Sequence, residues 1–166
     1  MTEYKKEETN NTILCRSITG KQVEIPIDKM VFRNSVYGII IHEEKILLVQ
    51  TKTTGHYAFP GGGIQIGEPI KQALTREIYE ETGIQVEIEN LLHFEEDFFY
   101  YDPGDVAFHS FLFFYTCTPL TTGLIPDEGV IDMEAEKPRW VSIKNLNPDD
   151  FLVGVRKALS LAIQSA

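Results

Sequence analysis

The stretch Ile70–Thr82 reads IKQALTREIYEET and is framed by Pro69 and Gly83. Proline is preset for a first helical position, and a glycine after the last turn is a natural left-handed stop. Between them the spacing predicts a helix of about three and a half turns. At about 100° per residue, Ile70, Leu74 and Ile78 form an apolar stripe, with Ala73 beside it. Glu77 and Glu81 fall on nearly the same azimuth as Ile70 and Leu74, Glu80 lies on the flank next to Ala73, and Arg76 lies further round. An ordinary surface helix keeps its carboxylates opposite its apolar face. Here the two share a face.

The plain reading of Glu77, Glu80 and Glu81 is a row of solvated helix charges. Two acids at i and i+4 repel by about a few tenths of a kcal/mol. Part-burying them beside Leu74 costs several times more unless something compensates. A hard divalent cation is the obvious compensation, because an all-oxygen carboxylate set suits Mg²⁺ or Mn²⁺.

The helix belongs to a longer pattern over residues 62–84: Gly, five residues, Glu, seven residues, then Arg-Glu-apolar-any-Glu-Glu-any-Gly-apolar. At average usage this would recur by chance about once per billion starting positions, which sets coincidence aside. The pattern resembles the signature of the Nudix hydrolase (MutT-like) family. Tyr57-Ala58-Phe59-Pro60-Gly61-Gly62 is similar to the family's aromatic–x–apolar–Pro–Gly–Gly lead-in, with Tyr57 where Trp is common. The resemblance covers about residues 35–155 and implies an α/β fold: the Nudix α/β/α sandwich with a mixed central β-sheet. It divides the chain into an N-terminal arm and hairpin, residues 1–34, and a Nudix hydrolase domain, residues 35–166.

The reaction implied is hydrolysis of a pyrophosphate bond in a nucleoside diphosphate linked to another moiety. Phosphoryl chemistry asks the protein mainly for positioning, charge neutralisation and an activated water. Glu77 and Glu81 are the expected metal ligands, and Glu80 is a third ligand or the general base. Arg76 is placed to hold a carboxylate in one rotamer through a bidentate pair. Glu68 caps the helix start, pairs with Arg76, or is a plain helix-start acid. A further acid from the loop before the Trp-Val strand is Glu134, with Glu136 as the second candidate. Gly61, Gly62 and Gly63 let the backbone approach a ligand closely, and Lys52, Arg33 and Tyr57 are the remaining substrate-binding candidates. The same resemblance admits a catalytically weak Nudix-fold module that binds and senses a nucleotide or ADP-ribose-like ligand. Broken acids would mark that case, and none is broken here.

The whole chain agrees with a single domain of ordinary size: 166 residues, 43% hydrophobic and 24% charged. The formal charge of −10 argues against nucleic acid and anionic membrane as partners. The expected partner is a small nucleotide, bound by a monomer or homodimer in the cytoplasm. Cys15 and Cys117 stand in no CxxC context and read as free core thiols. His42, His56, His93 and His109 lack metal-ligand spacing, and only His56, before the glycines, is a substrate-contact candidate. Residues 1–11 read as mobile, and residues 12–17 and 22–27 as a hairpin closing on Gly20. Strands follow at 35–42, 45–51, 85–89, 91–101 and 106–116, with a short one at 139–142. The aromatics Phe98, Phe99, Tyr100, Tyr101, Phe108, Phe111, Phe113 and Phe114 read mostly as core. Residues 119–138 form a long acidic connection, and a closing helix opens at Asn147-Pro148-Asp149-Asp150.

Overall fold

The computed structural model describes residues 11–18, 20–130 and 134–164. Residues 1–10 of the expected arm, Thr19 of the expected turn and residues 131–133 of the acidic connection lie outside the described residues. Along the chain run β1 (Thr12–Ser17), β2 (Gln22–Pro26), β3 (Met30–His42), β4 (Lys45–Thr51), β5 (Tyr57–Ala58), β6 (Gly61–Gly63), α1 (Ile70–Thr82), β7 (Val86–Tyr101), β8 (Val106–Pro119), β9 (Ala135–Ser142) and α2 (Arg156–Gln164). They form two compact units. Of the described residues, one unit holds those up to Arg33 with Glu96–Ser110; the other holds Asn34–Glu95 and those from Phe111 onward.

In the first unit, β1 and β2 pair antiparallel, with Cys15 opposite Val23 and Arg16 opposite Gln22. Gly20, at φ 82°, takes the left-handed turn position that glycine tolerates. The other edge of β1 pairs in parallel with the far end of β7, setting Arg16 beside Phe99. Arg16 Nη2 reaches Asp97 Oδ2 at 2.6 Å, and its guanidinium lies 5.5 Å from the Phe99 ring centre. The aromatic run here is not core: Phe98, Phe99, Tyr100, Tyr101 and Phe108 are all half-buried. Consecutive strand residues point to opposite faces, so four aromatics in a row cannot share one interior.

The second unit is layered. Val36 and Ile40 of β3 and Leu47 of β4 pack with Ala73, Leu74 and Ile78 of α1. Their alternating neighbours Ile39, Ile46 and Leu48 pack on the opposite side with Ala158, Leu159 and Ala162 of α2. Period-two alternation in two buried strands thus accounts for one helix on each face. Each fully buried Leu or Ile here contributes about 1.5–3 kcal/mol. β4 is the hub strand, pairing antiparallel with β3, β5 and β9. Glu43 and Glu44, at φ 48° and 58°, make the tight two-residue turn from β3 to β4.

Several boundaries differ from expectation. The two strands expected after α1 are one continuous strand, and β9 begins at Ala135, which shortens the acidic connection. The closing helix starts at Arg156, after short 3-10 turns at Pro148–Asp150 and Val153–Val155. Phe151 does not lie on that helix; it is buried and forms a bridge with Tyr57. Cys15 and Cys117 are buried free thiols, and burial pushes Cys117 up to about 12. Among the described residues no helix is long and apolar enough to cross a membrane.

Candidate active site

α1 spans the residues its flanking sequence predicts. Gly83 takes the left-handed conformation, φ 74°, and its N–H donates to Tyr79 O. Pro69 sits one place earlier than expected, as the extended residue before the first turn. Glu77 and Glu81 are buried in the helix face that also carries Leu74 and Ile78, with 6% and 3% of their surface exposed. Carboxylates at that depth need partners, and β6 and Arg76 supply them.

β6 sets the three glycines in a short strand. It pairs antiparallel with β3, with Val36 opposite Gly62 and Tyr37 opposite Gly61. Gly62 turns its missing side chain toward α1, and a Cβ there would stand 2.9 Å from the Glu77 carboxyl carbon. Gly61 adopts φ 143°, and a Cβ on it would collide with the Val36 carbonyl oxygen. From that position its N–H donates to Glu81 Oε2 at 2.8 Å. Only glycine allows both the close approach and the backbone angle.

Arg76 gathers the remaining groups. Its Nε and Nη2 donate to Glu68 Oε1 and Oε2, each at 2.8 Å, a bidentate fork. Nη1 donates to Glu77 Oε1 at 2.7 Å and to Glu80 Oε2 at 3.2 Å. Nη2 also reaches Gly63 O at 3.3 Å. The bidentate partner is therefore Glu68, which pairs with Arg76 and makes no cap hydrogen bond for α1. The Arg76 hydrogen bonds hold the Glu68 carboxyl down at about 2, against an ordinary 4.5. The same bonds push the Arg76 guanidinium above its usual range.

The other candidates lie on neighbouring segments. Glu134 is exposed just before β9, and its main-chain oxygen accepts from Lys52 N at 2.9 Å. Glu136 is on β9 opposite Gln50 and pairs with Lys137 at 2.6 Å. Tyr57 on β5 is half-buried, its ring 5.7 Å from Phe151. His56 is exposed, its N–H donating to Thr54 Oγ1 at 3.3 Å. Arg33 belongs to the first unit, where its guanidinium lies 5.4 Å from the Phe108 ring centre. Among the described residues no three acid, His or Cys side chains converge on one metal-sized point. Two buried carboxylates and Glu80 nonetheless make an all-oxygen donor set of the kind hard divalent cations take.

Comparison with known proteins extends the motif. The NUDIX domain matches residues 31–161. The chain belongs to the NUDIX domain family. A relative from Methanocaldococcus jannaschii named ADP-ribose pyrophosphatase is 43% identical over 61 residues, covering 35% of this chain and 36% of that protein. A Francisella philomiragia relative named RNA pyrophosphohydrolase is 32% identical over 80 residues, covering 48% and 52%. The chain thus spans about a third to a half of these curated relatives. Among solved structures, a NUDIX hydrolase from Nitrosomonas europaea superposes with TM-score 0.64 at 21% identity, over 81% of this chain and 90% of that one. An ADP-ribose pyrophosphatase from Streptococcus suis gives TM-score 0.60 at 21% identity, over 80% and 90%. These likenesses establish the Nudix fold that the helix pattern implied. Sequence reasoning missed two parts of this site: the pairing of β6 with β3, and the hydrogen bond from Arg76 to Gly63 O. The three consecutive glycines opposite a β-prone run were the available signal for the first.

Proposed function

We propose that this Nudix chain is a metal-dependent pyrophosphohydrolase that cleaves a pyrophosphate bond in a nucleoside diphosphate linked to another moiety. The observation that carries the reading is the burial of Glu77 and Glu81 against glycines placed to admit them. A surface helix has no use for such an arrangement. The names borne by the M. jannaschii and F. philomiragia relatives, ADP-ribose pyrophosphatase and RNA pyrophosphohydrolase, support the reaction class.

In this reading Glu77, Glu80 and Glu81 would hold Mg²⁺ or Mn²⁺, with Glu134, from the segment before β9, as a further ligand. The cation neutralises diphosphate charge and lowers the pKa of a bound water when present. Arg76 fixes Glu77 and Glu80 in one rotamer, and Glu68 fixes Arg76. The phosphates would lie along the backbone of Gly61, Gly62 and Gly63, with Lys52 and Tyr57 as substrate contacts. The catalytic residues of this reading all lie within residues 35–166.

The test is a panel of ADP-ribose, nucleotide sugars, dinucleoside polyphosphates, nucleoside triphosphates and 5′-triphosphorylated RNA, incubated with the chain and Mg²⁺. Release of a nucleoside monophosphate or pyrophosphate from a small nucleotide is expected, lost in excess chelator and faster at alkaline pH. Undiminished turnover in chelator, or binding without turnover of any compound, overturns the reading. Cleavage of RNA alone overturns the small-nucleotide assignment.

A further inference from the structure

β3 carries its pairing with β6 one step beyond the glycines. Ile64 N donates to Asn34 O at 2.9 Å, which extends the register that sets Val36 opposite Gly62. A Cβ on Gly62 would meet the Glu77 carboxylate, so the Val36–Gly62 pair faces the acids. Side chains two residues apart on a strand share a face, and the Asn34–Ile64 pair therefore faces the same way. Ile64 agrees, packing against the buried cluster that holds Leu74 and Ile78 of α1. Two residues of strand place Asn34 about 7 Å along from Val36. There its side chain is exposed, and among the described residues its amide has no hydrogen-bond partner.

The same face continues sideways as aromatic surface. β8 lies beside β3, and β7 beside β8. Phe113 of β8 packs against the same buried cluster as Ile64, and Phe111, two residues earlier, shares its face. Phe94 of β7 leans on both, with its ring centre 5.9 Å from Phe111 and 5.4 Å from Phe113. Phe94 itself is left 46% exposed. Contiguous open aromatic surface marks a place where something binds. An accessible ring and an unpartnered amide thus share one sheet face with the buried acids, all within the second unit.

We infer that this face is the nucleoside subsite: the base stacks on Phe94 and the Asn34 amide reads its edge, while the phosphates run back along β3 toward Glu77 and Glu81. The phosphate half of this assignment rests on the hydrolase reading above. Continuity with the acids decides the occupant, because a group joined to a diphosphate held at Glu77 meets this surface next. Every base has a π-face that an aromatic ring accepts, so Phe94 supplies affinity and the amide supplies selection. A carboxamide sets one acceptor beside its donors, the complement of the N6 amino group and N7 of adenine. Guanine offers two acceptors, O6 and N7, on that edge, and the amide oxygen finds no donor there. The subsite takes adenine nucleotides in preference to guanine nucleotides.

Calorimetric titration of the full chain in Mg²⁺ with AMP and GMP, and separately with inorganic pyrophosphate, tests this. Wild type should bind AMP at least about fivefold more tightly than GMP. Asn34→Ala should weaken AMP by about five- to tenfold, bring AMP and GMP close together, and leave pyrophosphate affinity unchanged. Its Tm should stay within about 2 °C of wild type, because an exposed amide without partners has been removed. Phe94→Leu keeps apolar bulk and removes the ring face. It should weaken AMP and GMP alike, by about fivefold or more, again without moving pyrophosphate. The inference is overturned if either variant leaves AMP affinity intact, or weakens AMP and pyrophosphate equally. It is also overturned if wild type binds neither monophosphate or prefers GMP. A dimer that Phe94→Leu converts to monomers in sedimentation overturns it too, since the rings then belong to a contact with a second copy. The binding arms do not depend on turnover, so a chain that binds AMP through Asn34 yet hydrolyses nothing sinks the hydrolase reading alone.

Discussion

Two arginine–carboxylate forks in the second unit share their hydrogen-bond lengths and differ in their surroundings. Arg76 grips Glu68 through two hydrogen bonds of 2.8 Å, and Arg139 grips Asp127 through two of 2.8 Å. In both, the arginine holds the carboxyl below its ordinary range. The Arg139 pair leaves 49% and 40% of its side chains exposed, against 25% and 16% for the Arg76 pair. Arg139 has one more acceptor, the neighbouring Pro138 carbonyl. Arg76 goes on to Glu77, Glu80 and Gly63 O. Fork geometry alone therefore says little. The number of buried groups that depend on an arginine decides what its loss costs.

The largest expected effect lies one step beyond the Arg76 fork. Glu81→Gln keeps the side-chain shape and an acceptor for the Gly61 N–H, and removes one of two charges on the apolar-facing stripe. Turnover on the best panel substrate should fall by several orders of magnitude. Melting temperature in chelator should hold or rise slightly, because the Glu77–Glu81 repulsion disappears. Wild-type turnover combined with a lowered Tm would make the cluster structural.

Arg76→Met and Arg139→Met set the two forks against each other. Arg76→Met strands Glu77 in a buried place and frees Glu68, and should lower Tm in chelator by roughly 5–10 °C. Arg139→Met exposes a carboxylate that water already reaches and should move Tm by no more than about 2 °C. Equal shifts would show that the wider Arg76 network adds nothing. Added salt should erase most of the Arg139 effect and little of the Arg76 effect, since screening acts on exposed pairs.

The same contrast of local and connected information governs what the sequence revealed. α1 begins and ends where Pro69 and Gly83 say, because those signals act within one or two residues. The burial of Glu77 and Glu81 was legible from helical periodicity alone, since a residue one turn from Leu74 and Ile78 shares their side. The role of Glu68 was legible only as one of three readings, of which the pair with Arg76 is the one the fold realises. Its partner lies eight residues along, beyond a turn of helix and a proline, where only the folded path fixes the distance. Gly61–Gly63 carry no strand signal of their own, and their strand conformation comes from pairing with β3. The aromatic run of β7 and β8 pulled the expectation toward core through composition, whereas the strand pleat sends alternate rings outward. The closing helix was expected to open at Asn147, and it starts only at Arg156, after Phe151 has bridged to Tyr57.

The smallest effect is the acid limb of stability, and it too separates the forks. Glu68 ionises at about 2 in the folded chain and near 4.5 when unconstrained. A depressed carboxyl binds protons more weakly folded than unfolded, so its contribution is fully present above 4.5 and is lost as pH falls toward 2. Glu68→Gln keeps a hydrogen-bond acceptor for Arg76 and has no proton to gain. In chelator and low salt, the stability of wild type measured by urea unfolding should fall more steeply between pH 4.5 and 2 than that of Glu68→Gln. Asp127→Asn should flatten the same limb less, because its pair is more exposed and more screened. An acid limb that Glu68→Gln leaves unchanged would mean the Arg76 fork persists in the unfolded chain or is absent in solution. Absence of the fork would return Glu68 to the plain helix-start acid that its sequence position also allowed.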